Sequence, residues 1–221
     1  YFGSQLNAYW RRNGTSFDDM LVQAIEEYDS IIKRCAAFDE KLMQEAEAAG
    51  GKKYGELVSL AYRQAIAAHK LVCDNNGDIL FISKECFSNG CAATVDVSYP
   101  SIPLFLLYNT EFAKGMLRPI FRYASSDAWK FDFAPHDAGC YPKVNGKVYG
   151  DNKLEYQMPV EECGNMLIMT TAICIAEKNA GFAKEHWGLI EKWGNYLVIH
   201  GLDPENQLCT DDFAGHLAHN C

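Results

Sequence analysis

Residues 158–181 read MPVEECGNMLIMTTAICIAEKNAG, and their interpretation decides the fold. Pro159 suits a first helical turn, where its missing N–H costs nothing, and Glu161 and Glu162 complement the positive end of a helix dipole. Leu167, Ile168, Thr171 and Ile175 then recur at helical spacing, so a helix is predicted over 160–178. After Asn179-Ala180-Gly181 a second periodic stretch, Phe182 to His200, carries the stripe Leu189, Trp193 and Leu197. Two helices joined by a three-residue turn make a helical hairpin.

Working outward, the same unit recurs. From Phe17 a helix is predicted, capped by Thr15 or Ser16 and favoured by Asp18 and Asp19. Its apolar face runs Met20, Leu21, Ala24, Ile25, Tyr28, Ile31, Ile32 and Cys35, and the pattern continues past a break to Gly50-Gly51. Lys53 to Val72 is predicted as its partner. Leu71–Cys73 and Ile79–Ile82 then flank Asp74-Asn75-Asn76-Gly77-Asp78, and Asn-Gly between apolar runs signals a hairpin. Lys84 to Tyr99 reads as loop. A short helix is predicted from Ser101 to about Tyr108, and a second, capped by Thr110 and Glu111, to about Tyr123 across Pro119.

The alternation of helix pairs with short turns and long polar loops predicts an all-α fold with one small β-hairpin. Its expected form is an α/α toroid, in which paired helices surround an axis and the long loops gather at one end. About six helices are readable, fewer than a closed ring of six hairpins needs. The chain, residues 1–221, is therefore expected to be part of one toroid domain that continues beyond it, with further domains of the same polypeptide as partners.

Composition narrows the function. The chain has 48% hydrophobic and 13% aromatic residues, as a folded protein does. Its formal net charge of -9, with 20 basic against 29 acidic groups, argues against nucleic acid, which needs a basic face. No apolar run reaches the roughly 20 residues that span a bilayer. The nine cysteines contain no Cys-x-x-Cys pair, so structural zinc is unsupported and mostly free thiols are expected, with Cys86 and Cys91 the pair to examine for a bridge. No Gly-x-Ser-x-Gly elbow, P-loop or dinucleotide fingerprint occurs.

Four polar clusters remain, each on a long loop or at a helix start: Lys84-Glu85 with Asp96 and Tyr99; Asp132 with His136-Asp137 and Tyr141; Glu161-Glu162 with Asn165; and Asp211-Asp212 with His216 and His219. Hydrolysing a glycosidic bond takes one protonated carboxyl and one carboxylate. Hydrolysing an amide takes activated water or a nucleophile, and donors for the oxyanion. Glu162, sharing a helix face with Asn165, is the expected acid, and Asp212 the second carboxylate. Substrate contacts are expected from Lys84, Glu85, Asp96, Trp129, Asp132, His136, Asp137, Tyr141, Glu161, Asn165 and His216. Each has a structural alternative: the acidic pairs as helix caps, Asp137 as a turn former, Trp129 as core. No metal and no cofactor are expected.

Several of these segments together resemble one family. Ala61-Tyr62-Arg63-Gln64, Lys84-Glu85 with Ser88-Asn89-Gly90, Thr94 to Ser101 (TVDVSYPS), Pro135 to Gly139 (PHDAG), Met158 to Met166 (MPVEECGNM) and Thr210 to Asn220 (TDDFAGHLAHN) are similar to the glutaminase A family, which includes secreted fungal glutaminases and proteins of Bacteroides-type gut bacteria. The resemblance implies a six-hairpin, glycosidase-like toroid, a secreted or periplasmic location, and hydrolysis of glutamine to glutamate and ammonia. That fold otherwise serves mainly carbohydrate enzymes, so a glycoside hydrolase using the same carboxylates is the alternative, and a carbohydrate-binding domain without catalysis the third.

Overall fold

In the computed structural model, residues 1–85, 89–146 and 149–208 are described, and they are mostly helical with a small three-stranded antiparallel sheet whose strands lie in chain order. They form two compact units, one of residues 7–69 and one of residues 1–6 with 70 onward. No helix among the described residues is long and apolar enough to cross a membrane.

The smaller unit holds a two-residue strand β1 (Asn7–Ala8) and helices α1 (Phe17–Glu26), α2 (Tyr28–Gly50) and α3 (Lys52–Ala67). Ser16 caps α1 in a capping box with Asp19: the Asp19 N–H donates to Ser16 Oγ at 3.1 Å, and the Asp19 carboxylate accepts from the Ser16 backbone. The break expected after Cys35 falls earlier, at Glu27, and α2 runs unbroken past Cys35. Gly51, at a φ of +82°, turns the chain so that α2 and α3 run back to back. Gly55 permits close packing, since a Cβ there would lie 2.7 Å from the Glu47 side chain. The apolar stripe read along α1 and early α2 stays largely exposed, Ile25 at 76%, because only Leu42 and Ala46 of α2 lie fully beneath neighbours. Periodicity identifies a face but not what covers it.

β2 (His69–Cys73) and β3 (Ile79–Ser83), which but for His69 belong to the larger unit, form the predicted hairpin. Asp74 Oδ1 accepts the N–H groups of Asn76 and Asp78 at 2.8 and 2.9 Å, and Gly77 takes a φ of +88°. The predicted helix over Lys53–Val72 is thus too long at its end, because β pairing captures His69 to Val72. Strand β3 packs on α5 (Thr110–Ala124), where Gly115 lets the two backbones approach: an added Cβ would meet Phe81 N at 3.0 Å. Asn109, rather than Thr110, caps α5 by accepting from the Glu111 N–H at 3.1 Å.

Helix α4 (Val95–Tyr108) begins six residues before its predicted start, so Asp96 and Tyr99 are helical rather than in a loop. Both Pro100 and Pro103 lie inside the helix. Helix α6 (Pro159–Glu177) matches the prediction closely. The helix predicted over Phe182–His200 is instead two, α7 (Gly181–Glu185) and α8 (Trp187–His200), parted at His186. The His186 ring stacks on Phe121 with centroids 3.9 Å apart and planes within 6°, and Trp193 stacks on the same Phe121 at 5.4 Å. These rings, with Met116, Ile120, Met166, Met169 and Ile173, form the core between α5, α6 and α8.

Candidate functional site

Three backbone segments converge beside the start of α6. The first leaves β3 through Glu85 and returns through Cys91 to Thr94, the cap of α4. The second is the loop Ala134–Gly146. Backbone bonds weld the two: Ala92 N–H to the Gly139 carbonyl at 2.9 Å, Ala138 N–H to Ala92 at 3.0 Å, and Val95 N–H to His136 at 2.8 Å. Gly139 sits at a φ of +105°, and a Cβ on it would lie 2.9 Å from Asn145 N, so this crossing suits glycine alone. The third segment is the first turn of α6. Its N–H of Val160 donates to Gln207 Oε1 at 2.8 Å, which anchors the turn.

At this junction the donor atoms of Asp96, His136 and Glu162 all lie within 4.8 Å of one another. His136 and Asp137 are buried, and Glu162 is wholly so. Asp137 is fully engaged: Oδ1 accepts from the Gly139 N–H at 2.7 Å, and Oδ2 lies 2.8 Å from His136 Nδ1. That contact orients the imidazole so that Nε2 faces Asp96 Oδ1 at 3.6 Å. Asn165 Nδ2 donates to Glu162 Oε2 at 3.4 Å, as their three-residue spacing predicts. Glu162 Oε1 and Asp96 Oδ1 are buried without a hydrogen-bond partner. Asp96, with its side chain 33% exposed, is the member open to solvent.

Crowding of acids in a dry place sets the protonation states. Burial drives the Glu162 carboxyl well above the usual carboxylate range, and the charges of Asp96, Glu161 and Asp137 add to the effect. Burial likewise raises Asp96, although the adjacent His136 pulls the other way. For His136 burial works against the charged form, but the hydrogen bond and charge of Asp137, with Asp96 and Glu85, outweigh it and raise its pKa. The result is one oriented imidazole beside a carboxyl that burial makes hard to ionise and another that can reach water.

The other residues singled out in the sequence are placed as follows. Glu85 joins the cluster, its Oε1 accepting from Thr94 Oγ1 at 2.5 Å. Lys84 is next to it on an extended backbone; its ammonium lies 5.7 Å from the Tyr141 ring centroid. Trp129 is buried, its Nε1 donating to the Phe133 carbonyl at 2.7 Å, and packs against Phe131, Phe133 and Tyr123. Asp132 is exposed and pairs with Lys192 at 2.9 Å. Glu161 faces solvent on the turn that buries Glu162. Asp212, His216 and Cys86 lie outside the described residues.

Sequence reasoning gave no site role to Thr94 or Gln207, and considered Cys91 only as a bridge partner for Cys86. A Thr before a helix reads as a cap, yet Thr94 spends its hydroxyl on Glu85. Cys91 is buried, and its sulfur lies within 4.8 Å of donor atoms of His136 and Asp137, which no spacing announces. Distance alone would let a cation bridge that trio or the Asp96, His136 and Glu162 trio.

The comparisons with known proteins agree with this architecture. Residues 51–221 match the Glutaminase A six helical-hairpin domain. Glutaminase A of Aspergillus oryzae is 38% identical over 181 residues, covering 81% of this chain and 26% of the relative. A probable glutaminase of Arthroderma benhamiae is 29% identical over 238 aligned positions, covering 82% of this chain and 27% of the relative. The chain thus spans about a quarter of the length of these relatives. No solved structure matches. With residues 51–221 covering β2 to α8 and every described member of the acidic cluster, the chain belongs to the glutaminase A six helical-hairpin family.

Proposed function

We propose that this domain contributes to a hydrolase that cleaves the side-chain amide of glutamine, with Glu162, Asp96 and His136 as the reacting groups. The observation that carries the reading is Glu162: a fully buried carboxyl, one oxygen unpartnered, within 4.8 Å of an imidazole and of a second carboxyl that reaches solvent. Amide hydrolysis needs a base for water and an acid for the departing nitrogen. Asp96 takes a proton from water as the water oxygen bonds to the amide carbon. Glu162, neutral through burial, gives its proton to the nitrogen as the C–N bond breaks, releasing ammonia. His136, held by Asp137, stabilises the Asp96 carboxylate before it takes that proton, and once ammonia has left, the proton gained by Asp96 passes to Glu162 and restores both groups. The names of the relatives support glutamine as the substrate. A secreted or periplasmic location fits the same relationship, and Asp212 remains a candidate for a further carboxylate.

A second reading has its own support. Carboxyls about 5–5.5 Å apart are the arrangement of a retaining glycosidase, and Asp96 and Glu162 approach within 4.8 Å. The deciding experiment assays the protein for ammonia released from glutamine and for reducing ends released from a glycan panel, with Glu162→Gln as control. Ammonia release that disappears in the variant supports the amidohydrolase. Reducing ends without ammonia transfer the assignment to a glycosidase, and inactivity on both overturns the hydrolase reading.

A further inference from the structure

Cys91 and Cys140 face each other across an isolated antiparallel bridge between the two segments that build the site. The flanking bonds fix which kind of pair this is. Ala92 N–H reaches the Gly139 carbonyl at 2.9 Å and Tyr141 N–H reaches the Gly90 carbonyl at 3.0 Å, while Cys91 and Cys140 exchange none. They therefore occupy a non-hydrogen-bonded position, where opposing Cα atoms approach to about 4.5 Å and both side chains lie on one face of the ladder. A disulfide accepts Cα separations from about 4.4 to 6.8 Å.

Only one of the two thiols is open to an outside reagent. Cys91 is buried beside Asp137, and burial followed by the charges of Asp137, Glu85 and Cys140 pushes its thiol up, so it stays protonated. Cys140 is exposed and accessible to an oxidant. We infer that Cys91 and Cys140 form a disulfide that clamps the His136–Asp137 loop to the strand beside it. The oxidant is another disulfide, small or protein-borne. The Cys140 thiolate attacks it, forming a mixed disulfide and expelling one thiolate. The Cys91 sulfur then bonds to the Cys140 sulfur, the second thiolate leaves, and the Cys91 proton passes to it. Two cysteine thiols and one external disulfide become one cross-link and two external thiols, with no change in total electrons.

The test folds the chain in a mixture of oxidised and reduced glutathione, alkylates free thiols, digests it and identifies linked peptides by mass spectrometry. A Cys91–Cys140 linked species is expected. Because Cys140 is exposed, Cys140→Ser should fold, lack that species and have a Tm unaffected by a reducing agent. The same reductant should lower the Tm of the native chain by on the order of 5–10 °C. Alkylation of both cysteines in the oxidised, folded chain overturns the inference, as does Cys91 linked to any other cysteine. An equal reductant effect on Tm in Cys140→Ser overturns it too.

Discussion

His136 Nδ1 lies 2.8 Å from Oδ2 of Asp137, its neighbour in sequence, and both side chains are buried. Adjacent residues on a strand would point apart; the turn ahead of Gly139 lets one carboxylate hold the ring beside it. Asp137→Asn keeps the shape but removes the charge that raises His136. Activity is expected to fall by about 100-fold or more. In an NMR titration the His136 pKa should drop, and a fall in kcat with KM unchanged would separate a role in turnover from a merely structural one.

Glu162→Gln puts a neutral isostere in place of a carboxyl whose pKa burial raises. Hydrolysis should be lost by a factor of roughly 10²–10⁴ while KM changes little. Stability should move the opposite way. A raised folded pKa means that unfolding releases a proton above the ordinary carboxylate range, so the wild type loses stability as pH rises from there through the folded value. Melting curves from pH 4 to 8 should show the variant gaining on the wild type, and parallel curves would contradict the buried-acid assignment.

His186 is pushed down to about 4, first by burial and then by the Arg118 charge. Its folded form resists protonation that the unfolded chain accepts below about 6.5. Its contribution is therefore complete above pH 6.5 and is lost as pH falls toward 4. His186→Phe preserves the stack on Phe121 without the titration, and its unfolding free energy should decline less over that interval in urea melts.

Gly115→Ala places a methyl against the backbone of β3, 3.0 Å from Phe81 N and 3.1 Å from Ile79 O. Neither neighbour is a flexible side-chain end. Ala is the better helix former, yet the overpacking should prevail and destabilise by about 1–3 kcal/mol, as read from urea unfolding.

Much of this was legible from local chemistry. Pro159, Glu161 and Glu162 announced α6, Asn-Gly announced the hairpin, and the three-residue step from Glu162 to Asn165 placed both on one face. What was not legible depends on tertiary partners. Local reading starts α4 at Ser101, but it begins at Val95, where the Val95 N–H bonds the His136 carbonyl at 2.8 Å. Trp129 and Asp132 looked alike as loop residues; one fills the core and the other meets Lys192 in water. That Asp96, His136 and Glu162 meet is a fact of packing alone, since nothing local connects positions so far apart.

That separation has a consequence for how the protein matures. The cluster draws one group from the start of α4, one from a loop held by single backbone bonds and one from the first turn of α6. No helix or hairpin carries two of the three, so partly folded intermediates cannot be partly competent. Recovery of activity after denaturant dilution should lag the return of helical signal and coincide with the last docking event, making turnover a clock for completed assembly.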